Sequence, residues 1–165
     1  MALYSKFGEM GSADEINELA GNLLKEGDKK SIKVMANENG IPKDFVDMFI
    51  DGDIPCLCDA QTAAIGKLEV EAKELKPVDI MDDWLEYIKA TCLEDPQTAA
   101  AVRRKGKSLK GCIGALLKWS FEHQQTVDSD IIKAAGIKAG KVTLGIPGQA
   151  TARQLIRSYY TGGKK

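Results

Sequence analysis

Apolar residues recur at three- and four-residue intervals along most of this 165-residue chain, and a capping residue, a glycine or a proline repeatedly cuts the recurrence. A period near 3.6 puts a single apolar stripe on a helix, and such a helix must bury its stripe against a neighbour. The pattern predicts a mostly α fold of about seven or eight short helices around one core. At most a minor strand is expected near residues 142–144, where Lys141–Gly145 reads as a short strand or an extended loop.

The punctuation places the helices. Ser12 and Glu15 have the spacing of a capping box, and Ile16, Leu19, Ala20, Leu23 and Leu24 follow it up to a stop at Gly27. Asp28 opens a second helix, with Ile32, Met35 and Ala36 inward and Gly40 at its end. Pro42 suits the first position of a third, which buries Phe45, Val46, Phe49 and Ile50 and stops at Asp51-Gly52. The next segment, DGDIPCLCDA, cannot be helical through Pro55, because the residue before a proline is pushed out of the α region. Gln61–Leu75 carries Ala64, Ile65, Leu68 and Ala72 on one face. Asp79 is placed to cap a helix bearing Ile80, Trp84, Ile88 and Cys92, and Asp95-Pro96 opens a short helix that Gly106 breaks. From Ser108 to about His123 runs the best core helix, with Leu109, Cys112, Ile113, Leu116 and Trp119 on one side. A short helix through Ile131, Ile132 and Ala135, and a closing helix from Pro147 to Tyr160, complete the set. Gly162–Lys165 reads as a frayed tail. Trp84 and Trp119 are both expected to be buried.

Charge divides the chain. Residues 1–98 hold 10 Lys/Arg against 21 Asp/Glu, and residues 99–165 hold 13 against 3, so the net charge of −1 hides two opposed halves. Such asymmetry points to a charged partner, to halves that attract each other, or to two solvated faces. Lys76-Pro77 is the natural boundary, with an acidic helical unit at 1–76, a basic one at 77–165, and the two packed as one compact protein. MALYSKFGEM has no apolar h-region and no apolar run reaches membrane-spanning length, so a cytoplasmic chain with reduced thiols is expected.

An enzyme is not expected. His123 is the only histidine, and neither a P-loop, a dinucleotide fingerprint nor a strained-turn nucleophile is present. Asp79, Asp82 and Glu86 share a helix face with Asp83 beside them, a pattern typical of a wet surface. The cysteines hold a sharper possibility. In an extended segment Cys56 and Cys58 point to the same side and can offer two thiolates to one zinc, with Cys92 and Cys112 completing a closed tetrahedral site, or with Asp59 or His123 replacing one of them. The competing reading is four small apolar side chains packed in the core, for which free cysteine is well suited.

Ala36-x₃-Gly40-x₅-Val46 has the spacing of a helix-turn-helix. The would-be recognition helix and its end carry Asp44, Asp47, Asp51 and Asp53 against Lys43 alone, which repels phosphate and suits a positively charged partner. The basic half offers Arg103, Arg104, Lys105, Lys107, Lys110 and Lys118, then Lys138, Lys141, Arg153 and Arg157. These could bind nucleic acid, pair with the acidic half, or form a solvated face.

The run MDDWLEYIKATCLEDPQTAAAVRRKGKSLKGCIGALLKWSF, followed by KVTLGIPGQATARQLIRSYY, resembles the PcfK-like proteins of Gram-positive mobile elements. The likeness spans Met81 to Tyr160 and rests on an aromatic-acid helix, a K-x-x-x-G-C-I helix start and a basic C-terminal helix. Some members are phage-encoded anti-CRISPR proteins that inhibit the RNA-guided nuclease of type II systems. The resemblance implies a binding protein whose partner is that effector nuclease, met in the bacterial cytoplasm. The acidic residues Asp44, Asp47, Asp51, Asp53, Asp82, Asp83 and Glu86 are the expected contacts, since the nuclease holds its nucleic acids in positively charged channels. Direct binding of nucleic acid is not expected. The rival readings are a helix-turn-helix DNA-binding regulator acting through the basic half, and a zinc-stapled structural or adaptor protein.

Overall fold

A computed structural model describes residues 2–162; of the tail expected at residues 162–165, all but Gly162 lies outside them. Among the described residues there are nine helices: α1 Ala13–Lys25, α2 Lys29–Glu38, α3 Lys43–Asp51, α4 Ala60–Leu75, α5 Ile80–Glu94, α6 Pro96–Arg103, α7 Leu109–Glu122, α8 Ser129–Ala134 and α9 Gln149–Thr161. Two residues of strand on either side of α8, β1 Gln125–Thr126 and β2 Thr143–Leu144, pair antiparallel with Gln125 opposite Leu144. The fold is mostly α with a minor strand where one was expected. Its partner β1 was not foreseen, because two residues are too few to show a period of two. No helix is long and apolar enough, among the described residues, to cross a membrane.

Capping residues set the boundaries. Ser12 Oγ accepts from the Glu15 amide at 3.1 Å, while the Glu15 carboxylate reaches back to the Gly11 amide at 2.8 Å, one residue before the cap. Asp28, Asp59, Asp95 and Ser108 each accept from amides of the first turn that follows them, and Asp95 holds both Gln97 and Thr98. Asp79 departs from expectation. It sits at the cap position of α5 with φ +54° and makes no side-chain cap bond.

The buried apolar side chains form two lobes. The first collects Ile16 and Ala20 of α1, Ile32 and Met35 of α2, Val46 and Phe49 of α3, Leu57, Cys58 and Ala63. The second collects Leu68 of α4, Trp84 and Ile88 of α5, Val102 of α6, Leu109 and Leu116 of α7, and Ile156 and Tyr160 of α9. Helix α4 serves both, with Ala63 in one lobe and Ala64 in the other. Trp84 is buried at 8% exposure as expected. Trp119 is only half-buried, because it lies near the outer end of α7 and stacks flat on the exposed His123 ring, 4.2 Å between centroids.

A polar seam joins the lobes. Lys67 and Arg103 are each 1% exposed. The Lys67 ammonium donates to Glu9 Oε1 at 2.7 Å and to the carbonyls of Arg104 and Lys107 at 3.0 and 2.6 Å. These carbonyls lie in the α6–α7 connection, where an exhausted helix leaves acceptors unpaired and its dipole favours a cation. The Arg103 guanidinium donates to the carbonyls of Met10, Asn39 and Ala63 at 2.7, 3.3 and 3.0 Å, and to Asn39 Oδ1. It thereby ties the N-terminal segment, the end of α2 and α4 to α6. Beside it, the turn after α2 presses its backbone onto α4. Gly40 has φ +74°, a Cβ there would collide with the Gly66 carbonyl, and a Cβ on Gly66 would stand 2.6 Å from the Asn39 carbonyl. Arg103 was expected in a basic surface cluster; the seam removes it from solvent.

Removing the guanidinium leaves several buried acceptors without a donor, so Arg103→Met should lose on the order of 3–5 kcal/mol in urea unfolding. A loss under about 1 kcal/mol, the ordinary size of a surface effect, would show that water replaces the clamp. Glu71, buried in the same seam, accepts from the Leu109 amide at 3.1 Å. Burial lifts its carboxyl above the usual 4.5, and the Leu109 amide and Lys67 offset only part of that. A raised folded-state value means the native protein holds this proton more tightly, so stability falls as pH rises from 4.5 through the raised value. Glu71→Gln, which cannot ionise, should gain melting temperature relative to the parent across that window, and a pH-independent difference would contradict the assignment.

Candidate functional site

Three carboxylates of the first acidic group, Asp44, Asp51 and Asp53, are exposed on α3 and the turn after it, and Asp47 is half-buried. They stand on the outer side of a helix whose inward positions, Val46 and Phe49, are committed to the first lobe. The second group is on α5. Asp82 and Asp83 are exposed in its first turn, where the helix dipole favours negative charge. Among the described residues none of these six enters an ion pair. Glu86 differs. It shares Lys89 with Glu69, at 3.0 and 2.7 Å. Partial burial pulls the Lys89 ammonium down, but its two carboxylate partners outweigh that and hold it above the usual lysine range. Glu86–Lys89–Glu69 is therefore a bridge from α5 to α4 rather than a free acid.

Between α5 and α9 lies a groove of about 500 Å³ with Trp84, Tyr87 and Ile156 along it, Asp83 and Glu86 on one side and Arg153 on the other. The Arg153 guanidinium sits 5.0 Å from the centre of the Tyr87 ring, a cation–π contact that holds the ring in place. Arg153 thus flanks an acidic groove, and Lys107, another of the expected basic cluster, lies over the Tyr159 ring at 4.8 Å while its carbonyl serves Lys67. Arg104, Lys105, Lys110, Lys118, Lys138, Lys141 and Arg157 remain exposed, distributed over the α6–α7 turn, α7, the α8–β2 connection and α9.

The cysteines do not converge. Cys58 belongs to the first lobe, Cys92 and Cys112 belong to the second, and Cys56 faces solvent. Among the described residues no three His, Cys, Asp or Glu gather into a group that could hold a metal ion. The expectation that Cys56 and Cys58 share a side fails because the connection is a chain of bends, not a strand. Leu57 is driven inward at 1% exposure, and Asn17 of α1 grips the Cys58 backbone, donating to its carbonyl at 2.8 Å and accepting from its amide at 3.0 Å. Asp59, the alternative ligand, caps α4, and His123 Nδ1 lies 2.9 Å from the Trp119 carbonyl. Burial pushes the thiols of Cys58, Cys92 and Cys112 up to about 12.

The seam residues Lys67, Glu71 and Asn39, and Asn17 on the Cys58 backbone, escaped the sequence reading. One signal was available. Ala63 and Gly66 flank Lys67 on the same side of α4, and small residues there mark a close backbone approach that can swallow a neighbouring lysine stem.

No protein-family model, curated protein or solved structure matches the chain.

In native protein a thiol reagent should label Cys56 fast and the other three cysteines only on unfolding. Mass spectrometry counts the labels, and prompt labelling of two or more would overturn the burial assignments.

Proposed function

We propose that this protein is an anti-CRISPR inhibitor, encoded by a phage or mobile element, that binds the type II RNA-guided nuclease and keeps target DNA from loading or being cut. The observation that carries the reading is the set of exposed carboxylates without ion-pair partners among the described residues, Asp44, Asp51, Asp53, Asp82 and Asp83, with Asp47 beside them. Carboxylates that no internal cation neutralises keep their field for a partner, and opposite potentials steer association and set specificity. The nuclease offers the matching sign, since its nucleic-acid channels are positively charged. The resemblance of Met81–Tyr160 to PcfK-like proteins supports the same partner, and both point to occupancy rather than catalysis. The acidic outer side of α3 disfavours the helix-turn-helix reading, because phosphate would be repelled there.

The test is cleavage of a matched DNA target by a type II nuclease and its guide, with and without this protein. Inhibition is expected, and Asp47→Lys, Asp51→Lys and Asp53→Lys together should weaken it. Added monovalent salt should weaken it as well, because exposed charges are screened beyond ~8 Å at physiological ionic strength. Full cleavage across a panel of type II nucleases, with retardation of plain duplex DNA in a gel, would replace the inhibitor by a DNA-binding regulator.

A further inference from the structure

A second depression of about 460 Å³ lies between α3, α4 and α5, lined by Pro42, Phe45, Asp59, Thr62, Glu69 and Leu93. A third, of about 230 Å³, opens under the Ile54–Cys58 connection and shares Phe45, Asp59 and Thr62 with the second. The α5–α9 groove and the second depression share no lining residue, and the Glu86–Lys89–Glu69 bridge stands between them, with Glu86 lining one and Glu69 the other. Three neighbouring depressions thus make a track across α9, α5, α4 and α3, interrupted at that bridge.

Its chemistry alternates. The carboxylates Asp83, Glu86, Glu69 and Asp59 line it, against Lys89, already shared by two of them, and Arg153, placed over Tyr87. Between the acids stand Leu93 at 63% exposure and Phe45 at 39%, with Tyr87 and Ile54 half-buried against the two lobes. Leu93 lies on α5 and takes no part in either lobe, which leaves its side chain available at the edge of the second depression. A phosphate backbone is repelled by such a line of acids. A protein segment with cationic and apolar side chains in turn matches both features, and hot spots of this kind form where an apolar anchor sits within a charged rim.

We propose that this track is a docking site for an extended basic segment of a partner protein, in which Lys or Arg side chains alternate with Leu or Phe. The proposal rests on the reading of the chain as an inhibitor that acts by binding a protein, and adds what that protein must present.

The probe is a short fluorescein-labelled peptide with capped ends, alternating Arg with Leu and Phe. Two controls replace every Arg by Glu or every Leu and Phe by Ser. Fluorescence anisotropy should show binding of the first peptide and at least about tenfold weaker binding of each control, the loss expected when one class of contact is removed. Leu93→Lys and Asp83→Lys should each weaken the first peptide about tenfold, while Asp130→Lys, an acid outside the track, should not. Leu93 and Asp83 are exposed, so both variants should keep the parent's melting temperature. Amide chemical-shift changes should fall on Phe45, Tyr87 and Leu93. Equal binding by parent and Leu93→Lys, equal binding of the Ser control, or shift changes confined to α7 and α8 would each overturn the track. So would concentration-dependent self-association that Leu93→Lys abolishes, because the occupant would then be a second copy. The nuclease assay separates the two readings. If Leu93→Lys inhibits as well as the parent, the track is wrong and the inhibitor stands. If the parent binds the peptide in the track but inhibits no nuclease, the inhibitor is wrong and the track stands.

Discussion

Two buried cations hold this fold in register. Neither apolar lobe alone fixes how α1–α3 sit against α5–α9, since burial is non-directional and an apolar face slides at little cost. Lys67 and Arg103 supply direction. Their donors aim at backbone carbonyls from the N-terminal segment, the end of α2, α4 and the α6–α7 turn, so a shift of any one of these elements strands a charge in the interior. Gly40 and Gly66 are the steric counterpart. They let the α2–α3 turn approach α4 closely enough for Asn39 to reach the guanidinium.

That registration has a surface consequence. With Glu9 and Glu71 drawn to the seam and Glu69 and Glu86 tied to Lys89, part of the acidic half is spent on internal contacts. What remains outward includes Asp14, Glu18 and Glu26 on and just after α1, Asp44, Asp51 and Asp53 on α3 and the turn after it, and Asp82 and Asp83 in the first turn of α5. The basic half is similarly reduced, because Arg103 is in the interior and Lys107 and Arg153 lie against aromatic rings. The charge division read along the chain thus becomes outward carboxylates on α1, α3 and α5 and a looser scatter of cations. The proposed inhibitor would use the first and has no need of the second.

Helix content and helix ends were open to sequence reading because their causes are local. Asp95 followed by Pro96, Ser108 before Leu109, and Asp28 before the Ile32 stripe each act within one turn, and each behaves as its chemistry requires. The failures have distant causes. Cys56 and Cys58 part company because Asn17, forty-one positions from Cys58, fixes the backbone between α3 and α4. Trp119, although its spacing matches that of Leu116 and Cys112, stays half-buried near the end of α7, where it stacks on the exposed His123 ring. Of the candidate site, the carboxylates of α3 and α5 could be identified beforehand, while their separation from the Glu86–Lys89–Glu69 bridge could not.

By itself the sequence determined the α class, the order of the helices and the sign of charge in each half, since periodicity, capping and composition act over a few residues. Tertiary structure alone decided which charges are interior and which thiols are sealed. It also decided that two depressions lie on either side of the Glu86–Lys89–Glu69 bridge and that a third adjoins the second at Phe45, Asp59 and Thr62. Arg103 and Arg104 are adjacent and identical in type, yet one is clamped by carbonyls and the other is exposed. The physical reason is that the free energy of a buried charge depends on where acceptors from remote segments converge, and that convergence exists only once the chain has folded.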